Sequence, residues 1–160
     1  VGLMMFNGPM LAERLASIGE FVESHRDDVH PIVATIVEKA KSYSAVDLVK
    51  EYYALRKQKV IAYQELSKVD ALMVPTAGTI YKIKDVESNP IELNNNMGYY
   101  TYYVNLLQLS AIAVPGAIRE DGLPFGICVV AKPQEDMALL DLANRWQKAT
   151  DLPQGAINIL

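Results

Sequence analysis

A change of hydrophobic period near residue 70 constrains this chain most. Before it, apolar residues recur every three or four positions; after it, they come in short unbroken runs. Leu11, Leu15, Ile18 and Val22 are spaced four, three and four apart, which is one face of a helix. Asn7-Gly8-Pro9 precedes them and reads as the helix start, because a Pro just inside a helix loses no hydrogen bond. His30-Pro31 opens a second helix, with Val33, Ile36, Val37 and Ala40 in period. Ser44-Ala45-Val46-Asp47 has the form of a capping box and opens a third helix. Leu48, Tyr52, Leu55, Ala62 and Leu66 form its predicted buried stripe, and Arg56, Lys57 and Lys59 a solvated polar middle.

Beyond the switch, Ala71–Thr76 is a short apolar run that predicts a strand buried on both faces. Residues 77–96 carry Gly78, Pro90 and three successive Asn, and read as a loop. Gly98–Leu109 reads as a helix dense in tyrosine. Ser110–Ile118 and Phe125–Lys132 read as strands, and Asp121-Gly122 between them is a strong hairpin signal. Met137, Leu140, Ala143 and Trp146 predict a last helix. The sum is an α/β chain of about five helices and three strands. Ala71–Thr76 is left with an open edge, so the sheet reads as part of a larger one. With the start at Val1, this predicts a fragment: residues 1–150 as folded segment and 151–160 as tail or linker.

Composition narrows the function classes. The net charge is −4, with no basic stripe of the kind nucleic-acid binders carry. No apolar run approaches the roughly 20 residues of a membrane span. A single cysteine, Cys128, permits no intrachain disulfide and fits a reducing compartment, so the expected location is cytoplasmic.

The residues that usually carry chemistry are sparse. There is no G-x-S-x-G and no phosphate-cradling Gly loop, and the serines stand singly. Ser44 reads as a cap and Ser110 as a strand-edge hydroxyl. Cys128, within an apolar strand, reads as a core residue. His25 and His30 are five apart across a polar turn, not the three or four that places two ligands on one helix face, so no metal site is expected. Tyr99, Tyr100, Tyr102 and Tyr103 read as core residues with rim hydroxyls, with a ligand-stacking pocket as the alternative. Two roles fit Arg14: an i,i+4 partner on a surface helix beside Glu13 and Met10, or an anion clamp whose guanidinium matches a carboxylate bidentately.

Longer motifs point further. Phe6-Asn7-Gly8-Pro9-Met10-Leu11-Ala12-Glu13-Arg14-Leu15 resembles the aromatic-x-G-P-x-x-A-E-R segment of the allophanate hydrolases, a branch of the amidase signature family. The resemblance continues through His30-Pro31-Ile32-Val33, Ala71-Leu72-Met73-Val74-Pro75-Thr76-Ala77 and Thr79-Ile80-Tyr81. It extends to Tyr103-Val104-Asn105-Leu106-Leu107, Ala111-Ile112-Ala113-Val114-Pro115 and Gly122-Leu123-Pro124-Phe125-Gly126, and covers about residues 6 to 146.

The resemblance implies the C-terminal portion of the amidase signature fold, with a mixed sheet and flanking helices. It also implies hydrolysis of allophanate to ammonia and carbon dioxide in urea degradation, with no cofactor or metal. The family's serine, bridging serine and lysine lie in an N-terminal half whose Gly/Ser-rich signature this chain does not contain, so no catalytic residue is assigned here. That half of the same enzyme is the expected partner and allophanate the expected substrate. Arg14 matches the arginine that would grip the substrate carboxylate. Phe6 stands where these hydrolases usually carry tyrosine, which removes one hydrogen bond worth about 1 kcal/mol. The alternatives are a non-catalytic module that homodimerises through its long helices, and an amidase with a different substrate.

Overall fold

The computed structural model describes residues 1–153. Eight helices and three strands follow in order: α1 (Met4–Asn7), α2 (Leu11–Ser24), α3 (Pro31–Lys39), α4 (Ala45–Leu66), β1 (Leu72–Pro75), α5 (Ile83–Ser88), α6 (Pro90–Met97), α7 (Tyr103–Leu107), β2 (Ser110–Ile118), β3 (Pro124–Ala131) and α8 (Asp136–Thr150). Single 3₁₀ turns at Arg26–Asp28 and Ala40–Ser42 join α2 to α3 and α3 to α4. Of the expected tail at 151–160, only the first three residues are described.

The period switch is real. The predicted hairpin forms: β2 and β3 pair antiparallel, with Ala113 opposite Cys128. Gly122 takes φ +79°, a left-handed value that suits glycine, and the Asp121 carboxylate accepts from the Leu123 N–H at 3.2 Å. β2 carries Pro115, which is tolerated because β2 is an edge strand and the ladder slips between Pro115 and Ala117. The sheet order is β1-β3-β2, antiparallel throughout, so no mixed pairing occurs among the described strands. β1 does have the predicted open edge. It is not buried on both faces, however: Leu72 is 42% and Met73 50% exposed. α8 covers the sheet face that carries Val114, Val129 and Ala131, and no described element gives β1 the same cover.

The helical predictions need correction at several points. α2 starts at Leu11 with no side-chain cap, and Asn7 closes α1 instead. Backbone bonds from Met4 to Val1 and from Asn7 to Leu3 already wind that turn, so Asn7 is used before it can cap. Residues 77–96 are not all loop, since α5 and α6 form there. Pro90 sits in the first turn of α6, and Asn89 and Asn94 side chains bond Glu92 and the Pro90 carbonyl. The helix expected over 98–109 shrinks to α7, which Gln108 ends in a left-handed conformation. The stripe of α8 is shifted: Leu139 is buried while Met137 is 77% exposed, and Leu142, Ala143 and Trp146 pack with Leu139. An i+3 series such as 137, 140, 143, 146 drifts around a helix of 3.6 residues per turn, whereas 139, 142, 143, 146 stays on one face.

The buried side chains gather in three clusters. One lies between α8 and the sheet. A second joins Met10, Leu55 and Leu107 where α2, α4 and α7 meet. The third packs Val22 of α2 against Ala34 and Val37 of α3. α4 holds its predicted capping box: Ser44 Oγ accepts from the Asp47 N–H at 3.1 Å, and the Asp47 carboxylate accepts from the Ser44 N–H at 3.0 Å. Leu55 and Leu66 are buried as expected, but Tyr52 is 49% exposed.

Candidate functional site

The turn between α1 and α2 brings Phe6 and Arg14 together. Gly8 is buried at its centre, where an added Cβ would stand 3.0 Å from Glu51 Oε1 of α4. The Tyr43 hydroxyl donates to the Asn7 carbonyl at 3.2 Å, fixing the turn from outside. α2 then begins at Leu11 and puts Arg14 at the end of its first turn.

The Arg14 guanidinium donates through Nη1 to the Met5 carbonyl. Its Cζ lies 4.7 Å from the Phe6 ring centroid, a cation–π distance. Phe6 in turn packs on Tyr102, with centroids 4.4 Å apart and planes tilted by 47°. The Tyr102 hydroxyl donates to the Asn94 carbonyl at 2.7 Å. Burial pushes the Tyr102 phenol above its usual pKa, and the Arg14 charge opposes that shift. The ring lies so close over Gly98 that a Cβ there would fall 1.9 Å from Tyr102 Cζ. Arg14, Phe6 and Tyr102 therefore form one stack, held from below by a backbone that must be glycine at 98.

Clefts open at both ends of the stack. Arg14 lines one of about 340 Å³ with Glu13, Met5, Met10, Asn105 and Leu106. Phe6 and Tyr102 line a wider one of about 620 Å³, between α3 and α5–α6, where Ile36, Lys39 and Ile91 also stand. Arg14 makes no ion pair among the described residues, so the surface-partner role is not the one its geometry takes. Four N–H donors remain after the Met5 bond, enough for a bidentate contact with a carboxylate.

The other sequence candidates have structural work. Ser110 is buried; its Oγ donates to Asp136 Oδ2 at 3.0 Å and accepts from the Glu135 N–H at 3.1 Å, which anchors the start of α8. Burial pushes the Cys128 thiol above its usual pKa, so it stays protonated and inert. His30 caps α3, with Nδ1 accepting from the Ile32 N–H at 3.3 Å, while His25 stacks on Phe21. No group of three or more His, Cys, Asp or Glu suited to a metal ion occurs among the described residues. The tyrosines divide. Tyr99 is 71% exposed, Tyr102 joins the stack, and the Tyr103 hydroxyl is buried with no hydrogen-bond partner.

Sequence reasoning picked out Phe6 and Arg14 but missed Tyr102 as their partner and Asn105 as a wall of the Arg14 cleft. Both reach the site from α7 and the turn before it. No local pattern encodes that approach.

Arg14, Phe6 and Tyr102 thus stand as one stack in a chain that folds, over the described residues, into eight helices and a three-stranded antiparallel sheet. The Amidase family model matches residues 13–140, and the chain belongs to the amidase family. It is 38% identical to the urea amidolyase of Saccharomyces cerevisiae (strain ATCC 204508 / S288c) over 146 residues, which is 89% of this chain and 8% of that protein. The urea amidolyase of Lachancea kluyveri is 33% identical over 156 residues, again 8% of its length. Among solved structures, Kluyveromyces lactis allophanate hydrolase superposes with a TM-score of 0.86 at 32% identity, covering 92% of this chain and 24% of that one. The chain thus spans under a tenth of these urea amidolyases and about a quarter of the allophanate hydrolase. A 6-aminohexanoate cyclic dimer hydrolase, at 23% identity and a TM-score of 0.62, shares the fold.

Proposed function

We propose that this chain forms one wall of the substrate pocket in an amidohydrolase acting on allophanate or a similarly small carboxylated amide. Residues 1–150 are then the C-terminal segment of an amidase domain, and 151–160 a tail or linker. The preceding half of the same enzyme supplies the serine that attacks the amide and the bridging serine and lysine that take its proton. The product is ammonia, with carbon dioxide from the remaining carbons, and the setting is cytoplasmic urea breakdown. Arg14 holds the carboxylate, and Phe6 beneath it fixes the guanidinium. The carrying observation is the Arg14 geometry: one N–H fixed on Met5, one face on Phe6, and the rest open to a cleft.

The experiment is Arg14→Ala in the complete enzyme. KM for allophanate should rise roughly 10- to 100-fold, the cost of a charge-assisted contact, with little change for an amide that has no carboxylate. Equal loss for both substrates would assign Arg14 a structural role. The 160-residue chain alone should release no ammonia from allophanate; clear turnover would sink the reading.

A second reading rests on α4. Val46, Val49, Tyr53 and Val60 lie on one exposed face of that helix, between 46% and 61% accessible. A homodimer through this face would bury it. Light scattering of the chain decides: a monomer at high concentration removes the dimer.

A further inference from the structure

Three asparagines of α6 and its N-terminal cap are committed to neighbours. Asn89 bonds Glu92, Asn94 bonds the Pro90 carbonyl, and Asn96 bonds the Tyr81 hydroxyl. Asn105 differs. It is exposed, its carboxamide makes no hydrogen bond among the described residues, and it stands in the same cleft as Arg14. The helix that carries it is anchored. α7 is tied to α4 by the Tyr63 hydroxyl on the Leu107 carbonyl at 2.7 Å and by Lys59 Nζ on Gln108 Oε1 at 2.7 Å. Leu107 beside it is buried against Leu55 and Met10.

We infer that Asn105 is a specificity-determining residue of the Arg14 cleft, reading an amide or ureido group next to the carboxylate that Arg14 holds. The inference rests on the proposed recognition role of Arg14 and names what stands beside the carboxylate. The chemistry is complementary. A guanidinium only donates, and so selects an anion; a carboxamide both donates and accepts, and so matches an amide edge. The cleft volume of about 340 Å³ lies at the low end for ligand pockets, which suits a molecule of few atoms. Glu13 lines the same cleft, and its negative charge disfavours a second carboxylate. The substrate class is therefore a small monocarboxylate bearing an adjacent amide.

The test uses the complete enzyme with Asn105→Leu, which keeps the branched shape but loses the polar atoms, and Arg14→Ala as reference. Malonamate carries one carboxylate and one amide; malonate carries two carboxylates. Asn105→Leu should weaken competitive inhibition by malonamate roughly 10-fold and leave malonate unchanged, the signature of one lost hydrogen bond to the amide. It should raise KM for allophanate by a similar factor, with kcat within about 2-fold. Equal weakening of both inhibitors, or of neither while Arg14→Ala weakens both, would overturn the role of Asn105. If Arg14→Ala itself weakens neither inhibitor, the recognition reading of the cleft fails, and with it this inference. Asn105→Asp is the second variant. It keeps size and adds charge beside the guanidinium, so malonamate should bind more weakly than to Asn105→Leu; tighter or equal binding counts against the proposal.

Discussion

The sheet with α8 and the stack around Arg14 are held by different physics. The sheet unit has a backbone ladder with a single slip in β2, and one apolar cluster of Val114, Val129, Ala131 and Leu139. The stack has no ladder, and the Met10–Leu55–Leu107 cluster beside it anchors the helices rather than the stacked side chains themselves. α1, α2 and the turn before α7 deliver Phe6, Arg14 and Tyr102, and single side-chain contacts hold them: a phenol on a carbonyl, a guanidinium on a carbonyl, a ring over a glycine. The lesson is where stability and recognition reside. A ladder can lose one contact and keep its register. The stack has few contacts to lose, so one substitution there should move the site without unfolding the chain.

Leu139→Ala probes the first half of that contrast and should cost the most. Leu139 is 3% exposed against Val114, Val129 and Ala131, and removing a buried leucine leaves a cavity worth about 2–5 kcal/mol. Urea unfolding should show the loss, with the resonances of Phe6 and Tyr102 unshifted in the folded state. A cost under about 1 kcal/mol would mean the sheet unit is not the stable half.

Gly98→Ala probes the second half. The new Cβ would sit 1.9 Å from Tyr102 Cζ, so the ring must leave. The chain would lose the Tyr102–Asn94 bond and the Phe6 contact, together about 1–2 kcal/mol. NMR should show Phe6 ring signals moving while the Leu139 methyl signals stay. Movement of both would erase the distinction between the two regions.

The same contrast explains what could be read from residues alone. Ser44–Asp47 and Asp121-Gly122 were legible because each is a local device whose partners lie within three residues. The period switch was legible because a strand and a helix bury different spacings. α5 and α6 were not, since their sequences are rich in poor helix formers and their ends rely on Asn89 and Pro90. The exposure of β1 was not, because an apolar run says what could be buried and not what covers it. At the site, Arg14 and Phe6 came from a motif of nine residues. Tyr102 and Asn105 did not, because docking of α7 on α4 spans 44 residues between Tyr63 and Leu107.

Trp146→Phe tests how α8 is tied to the sheet and should cost less than Gly98→Ala. The indole Nε1 donates to the Pro115 carbonyl at 2.8 Å, at the point where the β2 ladder slips. Phenylalanine keeps most of the apolar contact and drops the donor, leaving that carbonyl short of one bond, about 1 kcal/mol. Amide exchange should quicken at Gly116 and Ala117 and not across Ala111–Ala113. Uniform quickening of β2 would show that Trp146 supports the whole strand through packing.

The smallest effect is at the start of α4, and its pH dependence has a definite sign. Asp47 is held below its ordinary pKa, first by the Ser44 hydroxyl bond and then by the Ser44 N–H. A folded pKa lower than the unfolded one means the unfolded chain binds the proton more readily. The capping contribution is therefore present in full above the unfolded carboxylate value, about 4 for aspartate. It fades as pH falls below that value and through the depressed folded one. Ser44→Ala removes the hydroxyl, returns Asp47 toward its ordinary range and flattens this part of the acid limb. At neutral pH the cap loss itself should be about 1 kcal/mol or less, because the site is exposed and water replaces the lost partner. Urea midpoints from pH 7 to 3 for both proteins would check it. The difference between them should shrink toward the acid end; a constant or growing difference would mean that Ser44 acts on α4 without Asp47.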